Sequence, residues 1–142
     1  MWKREHRIIV DKGVTAEQIW KVWSNIYNWP LYDKELESVT ADENFKFLPG
    51  NWFYLKVKGG PKVKIIITEV TANKTFTDYT QFPLARMYDT HELKQTSEGL
   101  QLINTMTVKG PLAWLWRKVI AEKVAAGIPE QTKNLIAMAR KQ

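Results

Sequence analysis

The middle of the chain alternates. From Trp52 to Val57 every second position is apolar: Phe53, Leu55 and Val57. After Gly59-Gly60-Pro61 the same period picks out Val63, Ile65 and Ile67. A period of two belongs to a strand with one face on a core. A tight Gly-Gly turn would set Val57 against Lys62. A longer, bulged loop instead pairs Leu55 with Val63 and Phe53 with Ile65, apolar against apolar, and is preferred. Thr71-Ala72-Asn73-Lys74 turns the chain into a strand near residues 75–81. Met87, Asp89, His91 and Leu93 then alternate against Arg86, Tyr88, Thr90, Glu92 and Lys94. Glu98-Gly99 makes the next turn, after which Leu102, Asn104, Met106 and Val108 alternate with Gln101, Ile103, Thr105, Thr107 and Lys109. Strands at hairpin spacing predict an antiparallel sheet.

Helical periods flank this block. Residues 7–10 read as a first strand. Thr15-Ala16-Glu17-Gln18 is a capping box, with the Thr hydroxyl accepting from an early N–H and Gln18 reaching back. Ile19, Val22, Trp23 and Ile26 share one helical face. Asn28-Trp29-Pro30 interrupts, and Pro30 suits the first turn of a second short helix running to about Leu36. From Leu112 a long helix is expected, with Leu112, Leu115, Trp116, Val119, Ile120 and Lys123 on one side. Pro129, after Gly127-Ile128, predicts a kink or break. Beyond it Ile128, Thr132, Leu135 and Met138 form a face rotated by roughly a third of a turn. The expected fold class is α+β: a curved antiparallel sheet of about six to seven strands around a long C-terminal helix in two segments. The first segment is expected to wall a cavity and the second to pack on the two short helices, which lie between the first and second strands. No linker or repeat divides residues 1–142, so one domain is expected.

Composition narrows the classes. The 142 residues include no cysteine, which excludes disulfides, thiolate catalysis and cysteine zinc sites. No apolar run reaches the ~18 residues of a membrane span. The charged start, Met1 to Arg7, is unlike a signal peptide, and a cytoplasmic setting is expected. The net charge of +6 is uneven: residues 15–45 carry −4, residues 46–70 carry +4 and residues 111–142 carry +4. Two basic regions flanking an acidic one would suit an anionic ligand or a peripheral anionic membrane contact, or would simply keep the surface solvated. No polybasic run marks a nucleic-acid partner. Seven tryptophans supply large rigid surfaces for a core or for a ligand wall.

The order of elements, with two stretches in combination, resembles the START-like, or SRPBCC, superfamily, and within it the polyketide cyclase/dehydrase-like group. The first stretch is Ala16-Glu17-Gln18-Ile19-Trp20-Lys21-Val22-Trp23 followed by Asn28-Trp29-Pro30-Leu31-Tyr32-Asp33. The second is Lys109-Gly110-Pro111-Leu112-Ala113 leading to Arg117, then Ala126-Gly127-Ile128-Pro129-Glu130. Tyr32 stands where a tryptophan is common, and Asn25 near where an aspartate often precedes the turn. The resemblance implies a helix-grip fold enclosing a cavity for an apolar small molecule. It does not imply a particular reaction.

In such a fold the concave sheet face and the first half of the final helix line the cavity. Phe53, Leu55, Val63, Ile65 and Ile67 should point inward, with Met87, Leu93, Leu102 and Met106 from later strands. Leu112, Trp116, Val119 and Ile120 should face them from the helix. Polar residues on that wall are more informative, because a buried polar group needs a partner. Pairing Leu93 with Leu102 sets His91 opposite Asn104 and Asp89 opposite Met106. Asp89, His91 and Asn104 would then orient a ligand, or His91 would act as acid–base with Asp89 fixing its tautomer. A satisfied internal network is the simpler alternative. Lys123 would meet a ligand anion at the cavity mouth or snorkel to water. His6 reads as an exposed strand residue. No metal site, phosphate loop or nucleophile elbow is present, and no cofactor is expected. Binding of a lipid, isoprenoid or polyketide-like molecule ranks first. A cyclase or dehydratase using Asp89 and His91 ranks second, and a module docking on protein or membrane ranks third. A monomer or weak homodimer is expected.

Overall fold

The computed structural model describes residues 1–142. Seven strands form one antiparallel sheet in the order β1-β7-β6-β5-β4-β3-β2. They are β1 (Trp2–Ile9), β2 (Leu36–Thr40), β3 (Trp52–Val57), β4 (Lys62–Thr71), β5 (Thr75–Phe82), β6 (Ala85–Thr96) and β7 (Gly99–Lys109). The sheet is curved, and the C-terminal helix lies in its concave face. The β3–β4 register pairs Phe53 with Ile65 and Leu55 with Val63, as apolar matching requires. The longer loop is held by Lys56, whose Nζ donates to the Gly60 carbonyl at 2.6 Å.

Strand β1 starts earlier than expected. Its pairing with β7 runs from Trp2↔Val108 to Ile9↔Gln101, so the polar N-terminal residues are held by ladder bonds rather than by burial. The second helix is shorter than expected. It covers only Trp29–Tyr32, and Leu36 opens β2 instead. A register irregularity between Leu36 and Ser38 hides this strand, because Leu36 and Val39, three apart, are the residues turned inward. A bulge of this kind erases the two-residue period.

Helix α1 (Ala16–Ser24) carries the capping box and buries Ile19, Val22 and Trp23. A single 3-10 turn (Ile26–Asn28), with the Asn25 side chain accepting from Tyr27 N–H, leads into α2 (Trp29–Tyr32). The Trp29 indole N–H donates to the Trp23 carbonyl at 2.9 Å, fixing α2 against α1.

The C-terminal helix comprises α3 (Ala113–Trp116), a π-turn over Arg117–Ala121, and α4 (Glu122–Ala139). The irregularity therefore lies at the π-turn, not at Gly127-Ile128-Pro129. Helix α4 runs through Pro129, which sits on the exposed side. Its buried residues Ala125, Ile128, Thr132, Leu135, Ile136 and Ala139 form one continuous stripe across the proline. Packing of that stripe outweighs the local cost of the missing donor, ~3 kcal/mol in an unsupported helix. The change of phase is real but has another origin. Ala113 and Ala121 are both buried although eight residues apart, a spacing that in a regular helix turns them about 80° out of line. One extra residue in the π-turn brings both onto the sheet. For the same reason Val119 is 54% exposed and Lys123 is exposed, contrary to the simple helical wheel.

Two apolar clusters result. The larger gathers α1, α2, β3, β4 and the end of α4 around Trp23, Trp29, Phe53 and Phe76. The smaller joins Met106 and Val108 of β7 to Ala113, Ala121, Ala125 and Ile128 of the C-terminal helix.

Candidate functional site: the polar row between the two cores

Directly paired residues of a sheet point to the same side, so the register defines rows on the concave face. One row is His6, Asn104, His91 and Phe76, on β1, β7, β6 and β5. The next is Arg4, Met106, Asp89, Asp78 and Ile67. A third contains Trp2, Val108, Met87 and Thr80. The expected pairing of His91 with Asn104 and of Asp89 with Met106 is present. These rows bring polar side chains between the two apolar clusters.

The Asn104 Nδ2 donates to Asp89 Oδ1 at 2.8 Å. The His91 Nε2 lies 3.5 Å from Asp89 Oδ2. The His91 ring stacks on Phe76 with centroids 3.9 Å apart and planes 8° from parallel, and meets the Trp23 ring edge-on. Its Nδ1 is buried, and its Nε2 faces the carboxylate. Asp78, directly across from Asp89, is only 6% exposed, and no group of the protein donates a hydrogen bond to its carboxylate. Tyr32 closes the site from α2, with Thr80 and Thr132 also buried.

The electrostatics follow from burial. Desolvation, with Asp89 opposite, holds the Asp78 carboxyl well above the usual carboxylate range. Burial also raises Asp89, opposed by His91 and by the Asn104 hydrogen bond. Asp33, beside Tyr32, is raised by burial and by neighbouring Glu35 and Asp89, against the Glu35 N–H and Lys58. The Tyr32 hydroxyl is pushed up by burial and by the three aspartates. Burial lowers His91 despite Asp89 and the Phe76 backbone, so the imidazole is kept neutral. The arrangement can hold and move protons, and it can accept donors.

The other expected lining residues are distributed unevenly. Phe53, Ile65 and Met106 are fully buried, and Leu55 is partly so. Phe53 touches Trp29 and Phe45 at centroid distances of 5.2 and 5.6 Å, so that end of the concave face is packed core. Met87, Leu112, Trp116 and Ile120 are half-buried. Trp116 stacks on Phe82 at 4.6 Å and its indole N–H donates to the Pro83 carbonyl. Lys123 points away from the site into solvent, because the π-turn rotates it off the sheet. His6 is half-buried rather than exposed, since it shares the concave row with Asn104, and its Nδ1 is buried without a partner.

Asp89 is partly accessible. This residue sits on the third strand in from the β1 edge, on the covered face, yet 26% of its side chain remains accessible. Two surface pockets lie elsewhere. One of about 320 Å³ is lined by Met1, Lys3, Tyr88, Thr90, Thr107 and Lys109 on the outer sheet face. One of about 290 Å³ lies by the β5–β6 hairpin tip. Sequence reading missed Asp78, Tyr32 and Asp33. The alternation of Phe76, Asp78 and Thr80 within β5 carried the signal for the first.

No family model and no curated protein matches this chain. Solved structures do. Hypothetical protein jhp0584 from Helicobacter pylori superposes with a TM-score of 0.75 at 12% identity, covering 97% of this chain and 88% of its own. Ara h 8.0201 gives 0.74 at 13%, covering 99% of each. The di-domain ARO/CYC StfQ from the steffimycin biosynthetic pathway gives 0.75 at 14%, covering 98% of this chain but 50% of StfQ. The chain has the helix-grip fold. At these identities the likeness is one of architecture, and it agrees with the START-like, polyketide cyclase-like resemblance in the sequence. Within the helix-grip frame, the polar row lies where sheet and C-terminal helix face each other.

Proposed function

We propose that this helix-grip chain binds a small molecule with an apolar body in the interior between sheet and C-terminal helix, oriented by the polar row. One observation carries the reading: Asp89 stays partly open on a covered central strand, beside the buried, partnerless Asp78. Packed interiors satisfy their polar groups, so an unsatisfied carboxylate next to a partly accessible one supports a site completed by a ligand. The likeness to one half of StfQ, an ARO/CYC by name, is consistent with a small-molecule site in this fold. A cytoplasmic location belongs to the same reading and is checked by cell fractionation. The binding reading is tested by titrating the protein with 1-octanol and following the fluorescence of Trp23 and its neighbours. Saturable binding that Asp89→Leu alters is expected. The absence of any saturable change would overturn the reading.

A cyclase or dehydratase role is favoured by one further feature. Asp89 and His91 both lie on the concave face, 3.5 Å apart, with His91 neutral and able to accept a proton. Turnover of a poly-β-ketone thioester that is lost in His91→Phe, with octanol binding retained, would establish it. Equal turnover by the variant would remove His91 from any chemistry.

A further inference from the structure

We infer that the interior site selects a ligand whose head group is a protonated amine. The inference rests on the interior-binding reading above and adds the chemistry of the ligand. Two carboxyl groups lie together on the covered sheet face, Asp78 and Asp89, whereas Asp33 is already held by the Glu35 N–H and the Gln131 amide. Asp78 faces Asp89 across the β5–β6 ladder. No arginine or lysine pairs with Asp78 or Asp89; only the neutral His91 ring lies beside Asp89, at 3.5 Å. Lys58 bears only on Asp33, from outside. Buried carboxylates are ordinarily paired or coordinated. Here the missing partner is a cation, and nothing in the chain supplies it.

An opposite chemistry competes with this one. A protonated Asp78 or Asp89 would donate to a ligand carbonyl. The two differ in their response to pH. An ammonium displaces the proton held by the carboxyl pair, so its affinity rises with pH until the pair is ionised in the free protein. A carbonyl acceptor needs that proton, so its affinity falls over the same range. The titratable groups facing the pair are Asp33 and Tyr32 from α2, His91 from the same strand as Asp89, and His6 from β1 beyond Asn104. The buried face of α4 contributes Thr132 and no ionisable group.

The experiment compares octylammonium, 1-octanol, 2-octanone and octanoate, which share an apolar tail. Isothermal titration is run at about pH 5 and about pH 8, both above the ordinary carboxylate range. Octylammonium is expected to bind at least about tenfold more tightly than octanol at the higher pH, with protons released on binding. Asp78→Asn and Asp89→Asn should abolish the preference for octylammonium over octanol, with an unchanged far-ultraviolet circular dichroism spectrum showing that each variant is folded. Equal binding of all four probes would overturn the amine inference and leave the interior site standing. So would a 2-octanone preference that grows toward acid. Failure of every probe to bind would overturn both.

Discussion

Asp78 is the residue whose burial has the clearest energetic sign. A carboxyl raised in the folded state binds its proton more tightly there than in the unfolded chain. Its ionisation therefore opposes folding: stability falls as pH rises from the unfolded carboxylate range through the folded value, and stays lower above it. Asp78→Asn keeps the shape and removes the charge. The variant should be more stable than the parent by on the order of 1 kcal/mol near neutral pH. The gain should vanish in acid, as followed by denaturant midpoints across pH. His91 acts in the other direction. Its lowered value means that the unfolded state takes up the extra proton, so stability contributed by the neutral ring is lost as pH falls below the ordinary histidine range. The polar residues of β6 and β7 were legible because strict alternation placed them among Met87, Leu93 and Leu102. Asp78 was not, because β5 was recognised as a strand without sorting its faces. His6 was misread because polar residues surround it on an edge strand, where ladder bonds rather than apolar side chains define the element.

At the scale of elements, local chemistry set most starts and stops, and packing overruled it where the two disagreed. Gly110 shows local chemistry at its strictest. Its φ is +122°, and a Cβ there would sit 2.5 Å from the Leu84 carbonyl oxygen. That contact brings the β5–β6 hairpin tip against the start of the C-terminal helix, where Leu112 N–H donates to the same oxygen. Gly110→Ala should destabilise the fold by about 1–3 kcal/mol and loosen the Trp116–Phe82 stack, readable in near-ultraviolet circular dichroism. Pro129 is the opposite case. A sequence rule made it a break, yet a continuous buried stripe keeps α4 helical through it. Pro129→Ala should therefore stabilise the protein, by up to about 3 kcal/mol, with no change in fold. Strand β2 escaped detection for a reason that no propensity scale repairs. Its irregular register places its inward residues three apart, so the period that identifies strands is absent.

Across the whole molecule the sheet is an open ladder with β1 and β2 at its edges. β6 and β7 share the longest register, from Arg86↔Lys109 to Thr96↔Gly99, and are covered by neighbours on both sides. β2 pairs on one side only, through a short and irregular register. Native-state hydrogen exchange should thus be slowest in the centres of β6 and β7 and fastest in β2. Uniform protection across the sheet would contradict this picture. The global order of elements was readable in advance because hairpin spacing, capping and proline placement agreed with one another. The division of the interior was not. It depends on which large side chains reach across the sheet, and that is a three-dimensional fact: the stretch near Phe53 is filled by Trp29 and Phe45, while Asp89 keeps part of its side chain accessible.

The π-turn at Arg117–Ala121 also bears on how the chain tolerates changes in length. A residue removed from the middle of an ordinary helix rotates everything beyond it by about 100° and turns its buried stripe to water. Here the turn already holds one residue too many, and the sheet-facing positions on either side are aligned because of it. Deleting Lys118 would let the turn relax into regular helix with Ala113 and Ala121 still on the sheet. The shortened chain should fold with nearly its original midpoint, whereas deleting Glu130, inside α4, should not yield a folded protein. The helix that encloses the interior thus carries its own point of permissible editing.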